Sequence, residues 1–239
     1  MKKMEGRNGY HVLDHGHVAL VESMGSDLSI VRNARVSYDA EWRTGEDAGK
    51  DEKLINYLVK NLHTSPLEAV NFTFEVKAPI FVFRQWHRHR TWSYNEISAR
   101  YTELPEEFYV PELSQITGQS ASNKQMRTDD QHPHAWIFQS NMTKHNKAAF
   151  ALYKDMIADG CPRELARSVL PVATYSHMFA TVNLNNLAKF IGLRSHSHAQ
   201  YEIRVYSDAM LKIVRTVCPI AIDAICDKLG IDKAVFQDE

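Results

Sequence analysis

Cysteine is scarce in this chain of 239 residues: only Cys161, Cys218 and Cys226 occur, with no CxxC spacing. An odd, sparse set excludes a disulfide framework and points to a reducing compartment. Long hydrophobic runs are missing too. No stretch approaches the ~18 apolar residues of a membrane span, and the start, Met1-Lys2-Lys3-Met4-Glu5-Gly6, has no apolar segment behind its lysines. A cytoplasmic protein is therefore expected. Neither sign of charge is in excess: 28 basic against 29 acidic side chains leave a net charge of -1. That excludes a whole-molecule field for nucleic acid or membranes, so any anion site must be local. There is also no GxGxxG, no P-loop, no internal repeat and no linker. The 44% hydrophobic content suffices for one sizeable core.

What the chain does contain is helical and strand periodicity in irregular order. His17 to Met24 alternates as a short strand, and 27–38 has helical spacing through Leu28, Val31, Ala34 and Tyr38. Thr44 to Asp51 is polar and reads as a loop, followed by a helix over 51–62. Ser65-Pro66-Leu67-Glu68 has the pattern of a capping box with proline at the first helical position. In 70–77, Val70, Phe72, Phe74 and Val76 alternate with polar residues, which predicts a strand with those four inward. Pro79 then opens a helix through Trp86. Residues 114–131 are nearly free of apolar side chains and read as a lid or insert. Helices are expected at 141–159, stopped by Gly160, and at 162–170. A strand at 173–182 leads to Asn183 as the N-cap of a helix to Leu193. The last two helices are expected at 198–217 and at 219–229, the latter closed by Gly230. Strands do not alternate with helices as βαβ units would, so the expectation is an α+β fold, a single domain over 1–239 with an antiparallel sheet core and a mobile insert within 114–141.

The chemistry concentrates in Arg88-His89-Arg90-Thr91-Trp92-Ser93-Tyr94-Asn95-Glu96-Ile97-Ser98-Ala99-Arg100-Tyr101. Three arginines, two serines, a histidine and aromatic rings surround one carboxylate, and lysine is missing. Arginine without lysine marks planar, bidentate recognition of anions, so the run reads as a site for a phosphorylated aromatic ligand. The bland alternative is a basic helix end, but Trp92, Tyr94 and Tyr101 are costly to expose without purpose. A second constellation lies between two predicted helices: Arg194, His196, His198 and Gln200. A zinc site there lacks a third and fourth ligand. Arg163 and Arg167 are four apart on one helix face, either a ligand-holding or a solvent-facing pair. Asn183, Asn185 and Asn186 exceed what a helix cap needs. None of the cysteines has an activating neighbour, so thiolate addition to a substrate is disfavoured. Arg194, ahead of a helix start, is placed to hold an anion or a carbonyl.

Residues 88–100 reproduce the pattern RHRxxSxNExSxR at all eight of its fixed positions. In this the chain resembles the flavin-dependent thymidylate synthases. The resemblance extends in order from about Leu20 to Pro219, through His63 and Ser65-Pro66, Arg84-Gln85-Trp86, Pro162-Arg163-Glu164, Thr181-Val182-Asn183 and Arg194 to Glu202. It implies a homotetramer that binds FAD and makes dTMP from dUMP, with methylenetetrahydrofolate as carbon donor and NADPH as reductant. It also implies active sites between subunits. By the same resemblance Arg88, His89, Arg90, Glu96 and Asn183 meet the flavin, with His63 and Ser65 on its isoalloxazine or folate side. Gln85, Arg88, Glu96, Ser98, Ala99, Arg100 and Arg167 hold dUMP, and Arg194 both binds it and acts catalytically. Asn185 and Lys189 depart from the family pattern, which leaves their flavin contacts open. Two other readings of the same residues are a single-stranded nucleic-acid binder that stacks bases on the Arg-aromatic run, and a metal-dependent phosphohydrolase built on the histidines.

Overall fold

A computed structural model describes residues 1–237. Eight strands and eight α-helices follow one another among them: β1 (Lys2–Lys3), β2 (Gly9–Val12), β3 (Gly16–Met24), α1 (Asp27–Arg35), α2 (Ala48–Lys60), β4 (Asn71–Pro79), α3 (Ile80–Trp86), β5 (Ser93–Glu96), β6 (Thr117–Gln119), β7 (Arg127–Gln131), α4 (Ala135–Ala158), α5 (Arg163–Ala166), β8 (Tyr175–Asn183), α6 (Leu184–Arg194), α7 (Tyr201–Arg215) and α8 (Pro219–Leu229). Six strands form one antiparallel sheet in the order β1-β2-β3-β4-β8-β5, while β6 and β7 make a separate hairpin. The fold is the expected α+β arrangement on an antiparallel sheet.

The alternation in β4 decides which face is core. Phe72, Phe74, Val76 and Ala78 are buried while Asn71, Thr73, Glu75 and Lys77 lie on the opposite face. β4 pairs with β8 over nine residue pairs, from Asn71 opposite Asn183 to Pro79 opposite Tyr175. Helix α7 crosses the buried face against β2 and β3, and α3, α6 and α8 pack on α7. Ten of its fifteen residues are buried. Tyr206, fully buried, keeps its hydroxyl satisfied by donating to the Lys77 carbonyl at 2.7 Å. Asp27, at the start of α1, accepts from the Ile220 and Ala221 amides at 3.0 Å each, which caps α8 from 193 residues away.

The structure revises several local expectations. Helix α2 begins at Ala48, with Asp47 as its cap accepting from Lys50, so the polar loop is shorter than expected. Ser65 to Ala69 is a 3₁₀ turn in which no side chain caps. The capping box fails because Glu68 is used elsewhere: its carboxylate accepts from Asn185 Nδ2 at 2.9 Å. The insert is narrower than 114–141, since α4 starts at Ala135, and its centre is the β6–β7 hairpin. β5 was not expected as a strand. It has no alternating apolar pattern because it is the sheet's edge, held by its ladder to β8 alone. By contrast, the Asn183 cap, accepting from the Asn186 amide, and the left-handed Gly230 at φ 66° follow the expected pattern.

Candidate active site

The arginine run straddles two kinds of structure. It starts just after α3 and passes through β5, its last five residues, 97–101, lying beyond the strand. Between α3 and β5 the chain turns within six residues, and an aromatic cluster fixes the turn. Trp86 and Trp92 are buried, and both pack on Phe190 of α6 at centroid distances of 4.9 and 5.1 Å. His89 meets the same ring edge-on at 4.8 Å. The Tyr94 hydroxyl donates back to the carbonyls of Trp86 (3.1 Å) and His89 (2.9 Å). Of the three aromatic residues singled out in the run, Trp92 therefore belongs to the core, Tyr94 staples the turn, and only Tyr101 is exposed.

Because Phe190 locks α6 onto this turn, Arg194 at the helix C-terminus reaches across it. Its Nη2 donates to the Gln85 carbonyl at 2.9 Å, its Nη1 to Gln85 Oε1 at 3.5 Å, and its Nε to His89 Nε2 at 3.0 Å. A guanidinium also suits this end of a helix, where the macrodipole is negative. The bond from Arg194 requires His89 Nε2 to be unprotonated. Burial, together with the adjacent Arg194 charge, pushes the His89 imidazole down to about 4, so the ring is neutral at physiological pH. Burial, with Arg88 nearby, also lowers Arg194 below its ordinary value; a guanidinium keeps its proton regardless.

The surface also carries arginines without counter-ions. Arg88, Arg90, Arg100 and Arg167 are exposed. No carboxylate lies within ion-pair distance of any of them among the described residues. Arg100 instead leans on the Ser98 hydroxyl (3.3 Å from its amide) and on the Tyr101 hydroxyl (3.2 Å). Arg167 donates to the Glu164 carbonyl at 3.3 Å. Guanidinium groups left unpaired on one protein are an anion-binding inventory. The single carboxylate of the run, Glu96, accepts from Ser176 Oγ at 2.5 Å, and Ala99, three residues on, is buried.

Gln85, His89 and Arg194 are thus brought into contact, with Arg88 beside them. No hydrogen bond among the described residues joins Arg100, Arg167, His63, Ser65 or Asn183 to that group. His63 is exposed and packs edge-on against Tyr57 at 5.6 Å. Asn183 uses its side chain as the α6 cap, and Lys189 donates to Asn186 Oδ1 at 3.2 Å. Gln200, noted from the sequence only as a polar residue between helices, touches Gln85 directly. Glu202 and Arg127 stand behind it; Glu202 closes the Arg194–Glu202 stretch of the resemblance with no role assigned to it, and Arg127 carries no signal beyond its residue type. His196 and His198 form a local pair, with the His198 amide donating to His196 Nδ1 at 3.1 Å. A different histidine cluster, His17 and His177 about Glu75 at 3.4 and 3.0 Å, lies on the outer sheet face. Burial works against the Glu75 charge, but hydrogen bonds from Arg7, His177 and His17 prevail and bring it to about 2. With Arg7 on its other oxygen, this is a satisfied ion-pair network.

Unpaired guanidiniums on either side of an antiparallel edge strand, with a buttressed arginine on the neighbouring helix, mark an α+β protein of the anion-binding kind. Residues 19–220 match the family model described as thymidylate synthase complementing protein, and the chain belongs to that family. It is 45% identical over 214 residues to a flavin-dependent thymidylate synthase of Treponema denticola, covering 89% of this chain and 79% of that one. It is 45% identical over 213 residues to the flavin-dependent thymidylate synthase of Thermotoga neapolitana, covering 89% and 92%. Among solved structures it resembles the UMP/dUMP methylase PolB of Streptomyces cacaoi bound with 5-Br dUMP. The TM-score is 0.82 at 35% identity, covering 91% of this chain and 97% of that one.

Proposed function

We infer that this protein is a flavin-dependent thymidylate synthase, converting dUMP, methylenetetrahydrofolate and NADPH with a proton into dTMP, tetrahydrofolate and NADP⁺. The observation that carries the reading is Arg194, held by Gln85 and His89 beside the head of an arginine run whose own guanidiniums have no counter-ion. The donor set fits the cofactor. Unpaired forks on Arg88, Arg90 and Arg100 suit the phosphates of FAD and of dUMP, and neutral His89 suits a ring that must not carry a second cation. FAD, when bound, supplies the two electrons drawn from NADPH as a hydride equivalent.

The chain's own residues divide the remaining work. Arg88, His89, Arg90, Glu96 and Asn183 hold the flavin, and His63 and Ser65 lie on its isoalloxazine or folate side. Gln85, Arg88, Glu96, Ser98, Ala99, Arg100 and Arg167 hold dUMP. Arg194 directs its free N–H groups at a pyrimidine carbonyl and stabilises the enolate-like charge that develops there. Neither Cys218 nor Cys226 supplies a thiolate: burial pushes them up to about 12 and about 11. The scatter of ligand-holding residues over one chain supports sites completed by neighbouring subunits of a homotetramer. The chain is read as one domain with the hairpin region as an insert, and as cytoplasmic; no described helix is long and apolar enough to cross a membrane. Net charge of -1 gives the nucleic-acid-binding reading no support.

The test is direct. The purified protein should show flavin absorption, oxidise NADPH slowly, and form dTMP when all three substrates are present. A colourless protein that fails to bind added FAD sinks the reading.

A further inference from the structure

The hairpin insert is tied to the substrate pocket by a continuous chain of hydrogen bonds. Arg127, at the start of β7, donates through Nη1 to the Gln115 carbonyl at 2.7 Å and through Nη2 to Glu202 Oε2 at 2.6 Å. Glu202 is 3% exposed, in the first turn of α7. Its Oε1 accepts from the Tyr109 hydroxyl at 3.2 Å, and its Oε2 also accepts from Gln200 Nε2 at 2.8 Å. Gln200 Oε1 in turn accepts from Gln85 Nε2. Gln85 Oε1 is left facing Arg194 Nη1.

An amide has two chemically different ends, and which one faces a neighbour is decided by its partners. Glu202 can only accept while it is ionised, so Gln200 must turn its NH₂ toward it. The Gln200 oxygen then faces Gln85, which must offer its own NH₂. The Gln85 oxygen is thereby aimed at the guanidinium of Arg194. Each link admits one orientation, and the first member of the series is the buried carboxylate. That carboxylate stays ionised in a dry site only with a cation against it. Burial alone would push Glu202 up, but the hydrogen bond and charge of Arg127 bring it below the ordinary carboxylate range.

We propose that Arg127 is a positioning residue for dUMP turnover: through Glu202 and Gln200 it sets the Gln85 amide and so holds Arg194 where the pyrimidine is met. The insert, whose sequence carries no catalytic pattern, thus fixes the geometry of the pocket from outside it. Without Arg127 the buried Glu202 carboxyl can take up a proton and donate, which lets the Gln200 amide turn over, and only the 3.5 Å contact with Arg194 then opposes a flip of Gln85. A flipped Gln85 presents NH₂ to a guanidinium, donor against donor, and Arg194 is displaced. The inference rests on the thymidylate synthase reading above.

The experiment is a double-mutant cycle on the assembled, flavin-loaded enzyme, with kcat and KM for dUMP measured at each corner. Arg127→Met should lower kcat by about tenfold to a hundredfold, the usual consequence of misplacing a catalytic group by ~1 Å. In a Gln200→Leu background, where the series is already cut, the same substitution should cost less than about threefold, because residues acting through one network are not additive. A merely structural Arg127 would give multiplying losses in the two backgrounds, and that result, or a wild-type kcat in Arg127→Met, overturns the proposal. Where Arg127→Met does not assemble, the near-isosteric Glu202→Gln carries the test, since it keeps the packing and removes the obligatory acceptor; a wild-type kcat there is equally fatal. A wild-type protein that makes no dTMP overturns the functional reading and this inference together. An active wild type with additive losses overturns this inference alone.

Discussion

His89 should be the acid sensor of the fold, and the size of its contribution can be worked from the structure. Its ordinary value of 6.5 applies to the unfolded chain, and in the folded protein burial and the Arg194 charge bring it to about 4. The native state therefore favours the neutral ring, and between those two values the unfolded chain binds more protons. The contribution is fully present above 6.5 and is lost as pH falls from 6.5 toward 4. Between pH 7 and pH 5 the linkage relation gives a loss of at most about 2 kcal/mol, and solvent screening of a half-buried ring reduces that to roughly 1 kcal/mol. The control is His89→Gln, whose amide oxygen can still accept from Arg194 Nε but cannot titrate. Chemical denaturation of both proteins at pH 7 and pH 5, at one chain concentration, gives a double difference from which the other eleven histidines cancel. Wild type should lose more than the variant by about 1 kcal/mol. Equal losses in the two proteins would refute the argument that burial and the Arg194 charge together hold His89 neutral.

Three further outcomes are expected. Arg194→Ala should lower kcat by roughly 10²–10³, as loss of a donor to developing charge does, while Arg167→Ala should chiefly raise KM for dUMP; steady-state kinetics that show only a raised KM for Arg194→Ala would reverse the assignment. A triple Cys161→Ala, Cys218→Ala, Cys226→Ala protein that folds and holds flavin should keep dTMP formation within about tenfold, or ~1.4 kcal/mol; complete loss would restore thiolate chemistry. Co-refolding Arg167→Ala chains with Arg194→Ala chains should recover activity that peaks near equal amounts, since shared sites then receive both intact residues. Verified hetero-oligomers no more active than the parents would place each site within one chain.

The elements best legible in the sequence were those whose patterning is local. β4 alternates because one face is buried along its whole length, and Asn183 and Gly230 are end signals that act within a turn. The signature run was legible as chemistry but not as structure. Ser93 to Glu96 form a strand only because β8 offers them a ladder, and nothing in those four residues encodes a partner 80 or so positions away. Glu68 shows the same limit from the other side: the pattern of a capping box was present, but Asn185 competes for its carboxylate. Arg127 and Glu202 were illegible for a third reason. Their meaning lies in a contact across 75 residues, between a polar hairpin and a helix start that each look ordinary alone.

The position of β8 also sets the order in which the protein can be made. β4 and β5 are synthesised early, yet the strand that pairs with both is Tyr175–Asn183. Until that strand leaves the ribosome, β4 has β3 on one side and an open edge on the other, and the arginine run has no sheet to join. Extending the span between them costs little equilibrium stability, since loop-closure entropy grows only logarithmically with length. Its cost is kinetic: long-range pairing is slow, and an unpaired apolar strand is exposed to other nascent chains while it waits. Chain truncations that stop before residue 175 should therefore be aggregation-prone, and the hairpin and α4, which fill the interval, lengthen the wait with every residue they add.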